Sequence, residues 1–265
     1  MLPPDPTHPA IDGCLLDLDG TIQQDDMPIE GAIDALKSLQ KAGIPFRFLT
    51  NTTRRPRARI ISRLADLGFD AREEDCLTAP AVAAAWLRNR GARKLMLLVD
   101  PATQSEFAEF DLGDQDPDFV VVADLGDQWT FELLDRAFRA VMAGAELVAM
   151  QRNRYWKHEG RLSLDAGPFV AALEYATEQK AHLVGKPSAE LFQTAARELG
   201  LAPERIAMVG DDLDADIRGA KSAGLVAIAV ETGKYRPEAA EVTRQAADAV
   251  LGSIAELPHW LGLVP

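Results

Sequence analysis

The sequence predicts an α/β fold, a doubly wound parallel sheet of the Rossmann type, and three observations carry that expectation. Short apolar runs alternate with helix-length amphipathic stretches along the 265 residues, and such alternation marks a parallel sheet with helices on both faces. Several runs, among them Ile206-Ala-Met-Val, are apolar at successive positions, as strands covered on both faces need to be. Glycines at 43, 68, 91, 200 and 224 each follow a helical stretch, where a helix ends on a left-handed residue.

Taken in order, strands are expected at 13–18, 44–49, 94–99, 119–123, 147–150, 205–209 and 225–230. Each is a short apolar run, too brief for a helix of ordinary length and bounded by turn residues. Helices are expected at 30–42, 56–67, 79–90, 131–143, 168–179, 188–199 and 213–223, where apolar and polar residues alternate with helical period. No short-period repeat, low-complexity tract or Pro/Gly-rich linker interrupts this rhythm.

Composition narrows the function. Hydrophobic residues make up 47% of the chain and charged residues 26%, the balance of a globular protein with a real core. A net charge of −13 excludes nucleic acid and anionic membrane as partners, since phosphate backbones and acidic lipids demand Lys/Arg stripes. Cys14 and Cys76 are too few for a disulfide framework or a zinc site, and Cys14 lies within an apolar run. The N-terminus has no signal-peptide pattern, and no apolar run approaches the roughly 18 residues of a membrane span. A cytoplasmic location is the expectation.

The first strand ends in Cys14-Leu-Leu-Asp17-Leu-Asp19-Gly20-Thr21. In an open parallel sheet, ligands bind at the carboxyl ends of strands, so both acids face a candidate site. Two carboxylates so close repel each other, and a hard divalent cation such as Mg²⁺ resolves the conflict. Asp17 then suits a nucleophile and Asp19 a general acid/base. The plain alternative is a pair of acids at an Asp-Gly turn. Three further places supply what phosphoryl transfer needs. Thr50-Asn51 ends the second strand just before a helix, where a hydroxyl and backbone N–H groups hold phosphate oxygens, or simply cap the helix. Lys186, in Gly185-Lys-Pro-Ser, supplies a compact cation. The run Gly210-Asp211-Asp212-Leu-Asp214-Ala-Asp216 places four acids at another strand's end. An EF-hand reading of Asp212, Asp214 and Asp216 fails, because its glycine position holds Ile217 and its twelfth position Ala223. Each piece alone is ambiguous; their order, each after an apolar strand, is specific.

In this order the motifs resemble those of the haloacid dehalogenase (HAD) superfamily, composed mainly of phosphatases, over almost the full chain. About 135 residues separate Thr50 from Lys186, an interval similar to that of subclass IIA, whose members carry an inserted C2-type α/β cap. The resemblance implies a catalytic core at 1–91 and 182–265 and a substrate-specificity cap at 92–181. It implies Asp17 as nucleophile and metal ligand, and Asp19 as acid/base lending its carbonyl to the metal. Thr50 and Asn51 bind phosphate, Lys186 steadies the nucleophile and the phosphoryl group, Asp211 ligates Mg²⁺, and Asp216 supports it from outside the ligand set. Tyr155-Trp-Lys157-His158 stands where such caps carry a specificity loop, making Lys157 a candidate substrate-binding residue; a solvent-facing loop is the alternative. The implied function is a Mg²⁺-dependent phosphatase of small phosphorylated metabolites, with a homodimer through the cap as partner. Phosphoramidate or pyrophosphate hydrolysis on the same site is an alternative. A receiver-like signalling protein is a rival of another class, opposed by Asp19 and by the long insertion. A metal-free dehalogenase is opposed by the same acids.

Overall fold

The computed structural model describes residues 10–24, 27–158 and 161–264. Packing divides the chain into two compact units, one of Met1–Thr50, Ile61–Leu77 and Lys186–Pro265, the other of Asn51–Ile60 and Thr78–Gly185.

The first unit is built on a six-stranded sheet in the order Ala249–Leu251, Val226–Val230, Ile206–Gly210, Gly13–Leu16, Phe46–Thr50, Cys76–Thr78. Leu16 pairs in parallel with Val209 on one side and with Phe48 on the other. Three strands therefore end side by side, bringing the residues that follow Leu16, Phe48 and Val209 to one edge. Leu15, Leu16, Phe48, Met208, Val209 and Ile228 are fully buried, as expected of strands covered on both faces. The helix Ala32–Ala42 buries Ala32, Ala35, Leu36 and Leu39 and ends at Gly43, whose N–H returns to the carbonyls of Leu39 and Gln40. Burying each leucine contributes about 1.5–3 kcal/mol. Cys14 and Cys76 are both free and buried in this sheet, and burial pushes the Cys14 thiol up to about 12.

The second unit holds a five-stranded parallel sheet, ordered His182–Leu183, Glu146–Ala149, Phe119–Val122, Lys94–Leu98, Asp111–Leu112. Side chains alternate across it. Leu95, Phe119, Val121 and Val148 join Trp86 and Leu87 in one apolar cluster, whereas Met96, Leu98, Val120, Val122 and Leu147 join Val141, Val170 and Leu173 in another. Period-two strands thus bury both faces. The helix Ala79–Asn89 covers the first, and the helices Phe131–Met142 and Ala166–Thr177 cover the second.

The packing units divide the chain at places other than the boundaries expected at 91/92 and 181/182. The helix Ala79–Asn89 buries Ala79, Ala83, Trp86 and Leu87 against the second sheet, and His182–Leu183 pairs with Val148–Ala149 of that sheet. Residues 78–91 and 182–185 therefore belong to the second unit. Elements absent from the sequence expectation include the short strands Cys76–Thr78, Asp111–Leu112, His182–Leu183 and Ala249–Leu251, the helix Ala240–Ala246 and the antiparallel hairpin Tyr155–His158 with Arg161–Leu164. The helix expected at 213–223 is a π-type turn, Leu213–Arg218, running into a short α-helix, Gly219–Ser222. Among the described residues, no helix is long and apolar enough to cross a membrane.

Candidate active site

Asp17 follows the central strand directly, its N–H extending the ladder to the Val209 carbonyl at 3.0 Å. Asp211 follows the adjacent strand Ile206–Gly210. Asp212 then caps the next turn, its Oδ1 accepting from the N–H groups of Asp214 at 3.1 Å and Ala215 at 3.0 Å. That turn returns Asp216 toward the strand end, where its Oδ2 accepts from the Asp212 N–H at 3.1 Å. A Cβ at position 210 would lie 2.3 Å from this oxygen, so glycine is required for the return.

Lys186 closes the arrangement. Its ammonium bonds to Asp17 Oδ1 and lies 2.6 Å from Asp216 Oδ1. All three residues are nearly sealed from solvent, at 4%, 6% and 0% exposure for Lys186, Asp17 and Asp216. Asp17, Asp211 and Asp216 each present an oxygen, all within 4.8 Å of one another.

Burial pushes the Asp17 carboxyl well above its ordinary value; the Lys186 ammonium opposes the rise, while Asp216 and Asp211 add to it. Burial works against the Lys186 charge, but Asp17 and Asp216 outweigh it and hold the ammonium above its ordinary value. Asp211 rises to about 6, from burial first and Asp216 second, against the Lys234 N–H. Three buried carboxylates and one lysine leave two negative charges uncompensated, a costly arrangement in a low-dielectric site. One divalent cation neutralises them, and an all-oxygen donor set is the chemistry that Mg²⁺ takes. The residues present fit that ion.

The structure thus brings Asp17, Lys186, Asp211 and Asp216 together. Asp216, expected outside the ligand set, offers an oxygen within the carboxylate cluster and pairs directly with Lys186. Asp19 is exposed, its Oδ1 accepting from Gln23 Nε2 at 2.9 Å. Thr50 is buried at the end of the neighbouring strand. Asn51 belongs to the second unit, its Oδ1 2.8 Å from where a Cβ on Gly185 would stand. Lys157 lies in the strand Tyr155–His158, with its side chain outside the described residues. Asp214 pairs with Arg218 at 2.5 Å and is not in the cluster.

One contributor escaped the sequence reading. The Lys234 N–H donates to Asp211 Oδ2 at 2.6 Å, and its ammonium donates to Asp212 Oδ2 at 3.0 Å. The available signal was positional, because Glu231-Thr-Gly-Lys234 follows a buried strand at its carboxyl end, as the other motifs do.

Comparison with known proteins identifies the family. The haloacid dehalogenase-like hydrolase family model matches residues 14–113, and a HAD-hydrolase-like model matches residues 183–257. Human haloacid dehalogenase-like hydrolase domain-containing protein 2 is 40% identical over 86% of each chain. Human phospholysine phosphohistidine inorganic pyrophosphate phosphatase is 34% identical over 93% of each. Among solved structures, 4-nitrophenylphosphatase from Thermotoga maritima superposes with a TM-score of 0.89 at 29% identity, covering 94% of this chain and 97% of that one. The p-nitrophenyl phosphatase from Archaeoglobus fulgidus gives 0.88 at 25% identity, covering 95% and 99%. Motif order, sheet topology and near-full-length likeness therefore converge, and the chain belongs to the haloacid dehalogenase-like hydrolase family.

Proposed function

We propose that the protein is a Mg²⁺-dependent phosphatase of small phosphorylated metabolites that works through an aspartyl-phosphate on Asp17. The observation that carries this reading is the sealed Lys186–Asp17 pair beside the acids at 211 and 216. A buried carboxylate kept beside a lysine is held in place for attack.

An Asp17 oxygen attacks phosphorus, the bond from phosphorus to the leaving oxygen breaks, and Asp19 delivers a proton to that oxygen. Asp19 then takes a proton from water as the water oxygen attacks phosphorus, releasing phosphate and restoring Asp17. Exposure of Asp19 suits this exchange, and Gln23 keeps its carboxylate in place. Thr50 and Asn51 hold phosphoryl oxygens, and Lys186 balances charge on Asp17 and on the phosphoryl group. Asp17, the Asp19 carbonyl and Asp211 would hold Mg²⁺, which would supply the charge neutralisation that lets two anions meet.

Substrate choice is assigned to the second unit as a cap, with Lys157 on its hairpin as a binding residue. The exposed Phe131 and Tyr175 of that unit support a homodimer through it, and a cytoplasmic location follows the sequence expectation. A second reading, hydrolysis of a phosphoramidate or pyrophosphate on the same site, is favoured by the likeness to the phospholysine phosphohistidine phosphatase.

A panel of phosphate monoesters, phosphoramidates and pyrophosphate, assayed with Mg²⁺ and after exhaustive EDTA treatment, tests the proposal. Turnover of at least one class that vanishes with EDTA and returns with Mg²⁺ is expected. Undiminished turnover without metal overturns it.

A further inference from the structure

We infer that the loop after the strand Val226–Val230, through Thr232, Gly233 and Lys234, is a positioning element that sets the metal affinity of the site by fixing the Asp211 carboxylate. The inference rests on the metal-dependent reading above and concerns residues that reading does not use.

Three sets of contacts converge on one oxygen. The Lys234 N–H donates to Asp211 Oδ2 at 2.6 Å. Gly20 and Gly233 wall that oxygen from two sides, because a Cβ at either position would lie 2.1 Å or 2.0 Å from it. Both glycines have positive φ, 97° and 62°, so each is required by backbone conformation as well as by close approach. The Thr232 hydroxyl donates to the Gly20 carbonyl at 2.5 Å, tying this loop to the turn that follows Asp17 and Asp19. The two walls are thereby held to each other by a bond that spans 212 residues of sequence, from Thr232 to Gly20.

The same loop separates the adjacent acids. The Lys234 ammonium pairs with Asp212 Oδ2 while Asp212 Oδ1 caps the following turn. Both Asp212 oxygens are engaged, and the carboxylate cluster contains Asp211 and not Asp212. A carboxylate confined by a backbone donor and two glycine walls needs no ordering when the ion arrives, so the ordering cost of binding falls. Partners that orient a ligand from behind in this way are worth 10–100-fold in metal affinity.

The test is calorimetric titration of Mg²⁺ into the full-length, EDTA-treated protein without substrate. Thr232→Val removes the hydroxyl at nearly constant volume and is expected to weaken Mg²⁺ binding about tenfold. Thr232→Ser keeps the hydroxyl and is expected to stay within about threefold of wild type, a rescue that a merely structural role would not give. Gly233→Ala drives a methyl into Asp211 and is expected to weaken binding up to about 100-fold. If Gly233→Ala fails to fold, the two threonine variants decide. Wild-type affinity in Thr232→Val, or equal loss in Thr232→Val and Thr232→Ser, overturns the inference. A wild-type protein that takes up no Mg²⁺ overturns the proposed function and this inference with it.

Discussion

Replacing Lys186 by methionine separates what holds the site together from what the site does. The methionine keeps most of the buried stem, so little cavity forms, but the ammonium that bridges Asp17 and Asp216 is lost. Two carboxylates at 6% and 0% exposure then face each other and Asp211 with no cation bridging them. Breaking a buried pair by removing one partner costs about 3–5 kcal/mol. For a chain of this size each kcal/mol lowers the melting temperature by about 2–4 °C, so a drop of about 6–20 °C is expected without metal. The deficit also depends on pH. Asp17 in the folded protein already lies above its ordinary value, and loss of the opposing lysine raises it further. A folded group with a raised value binds more protons than the unfolded chain below that value, so stability is lost as pH rises through it. The deficit is therefore smaller at acid than at alkaline pH, because protonation relieves the repulsion. Melting curves in EDTA at pH 5 and pH 8, followed by circular dichroism, measure it. A deficit below about 1 kcal/mol at pH 8, the scale of an exposed pair, refutes the reasoning, and so does one equal at both pH values.

Three other outcomes are expected. Asp17→Asn abolishes turnover with the fold intact, because an amide does not attack phosphorus; a tenth of wild-type activity in steady-state assays shows another nucleophile. Asp19→Asn slows poor leaving groups more than para-nitrophenolate and lets phosphoenzyme accumulate, as rapid acid quench and mass spectrometry detect; equal slowing across leaving groups removes the acid/base role. Asp211, raised to about 6 from 3.8, makes the metal-free protein gain stability as pH falls from 7 toward 4, by up to about 3 kcal/mol. Saturating Mg²⁺ abolishes that gain by keeping the carboxylate ionised; a flat metal-free profile from pH 7 to 5 contradicts the Asp211 environment.

The strands most legible in the sequence are those whose every residue is apolar. Phe119-Val-Val-Val and Val226-Ala-Ile-Ala-Val are buried on both faces, so composition alone marks them. Cys76–Thr78 and Ala249–Leu251 are sheet edges of three residues, too short to show a period and set against helices that dominate the local pattern. The helix at 79–89 was legible, but the sheet it serves was not. An apolar stripe of Ala79, Ala83, Trp86 and Leu87 says that a face is buried and leaves its partner unstated. In the site, Asp17, Asp211 and Lys186 stood out because acids and a lysine at strand ends break an apolar rhythm. Lys234 did not, since its contact to Asp211 is made by a backbone N–H, a group every residue but proline carries. The π-type turn at Leu213–Arg218 was masked by its acids, which a helix N-terminus also favours.

The two cysteines give this protein a built-in stopwatch. Both thiols lie in the sheet of the first unit and neither is accessible, so a disulfide-exchange reagent reaches them only when that sheet opens. Cys14 sits on the central strand and Cys76 on an edge strand. Two labelling phases, read against denaturant, thus report the breathing of the rim and the opening of the centre separately. Both thiols stay silent while that sheet is closed, which makes their labelling a probe of the first unit's sheet. The same silence makes the native chain a clean background for cysteines introduced elsewhere.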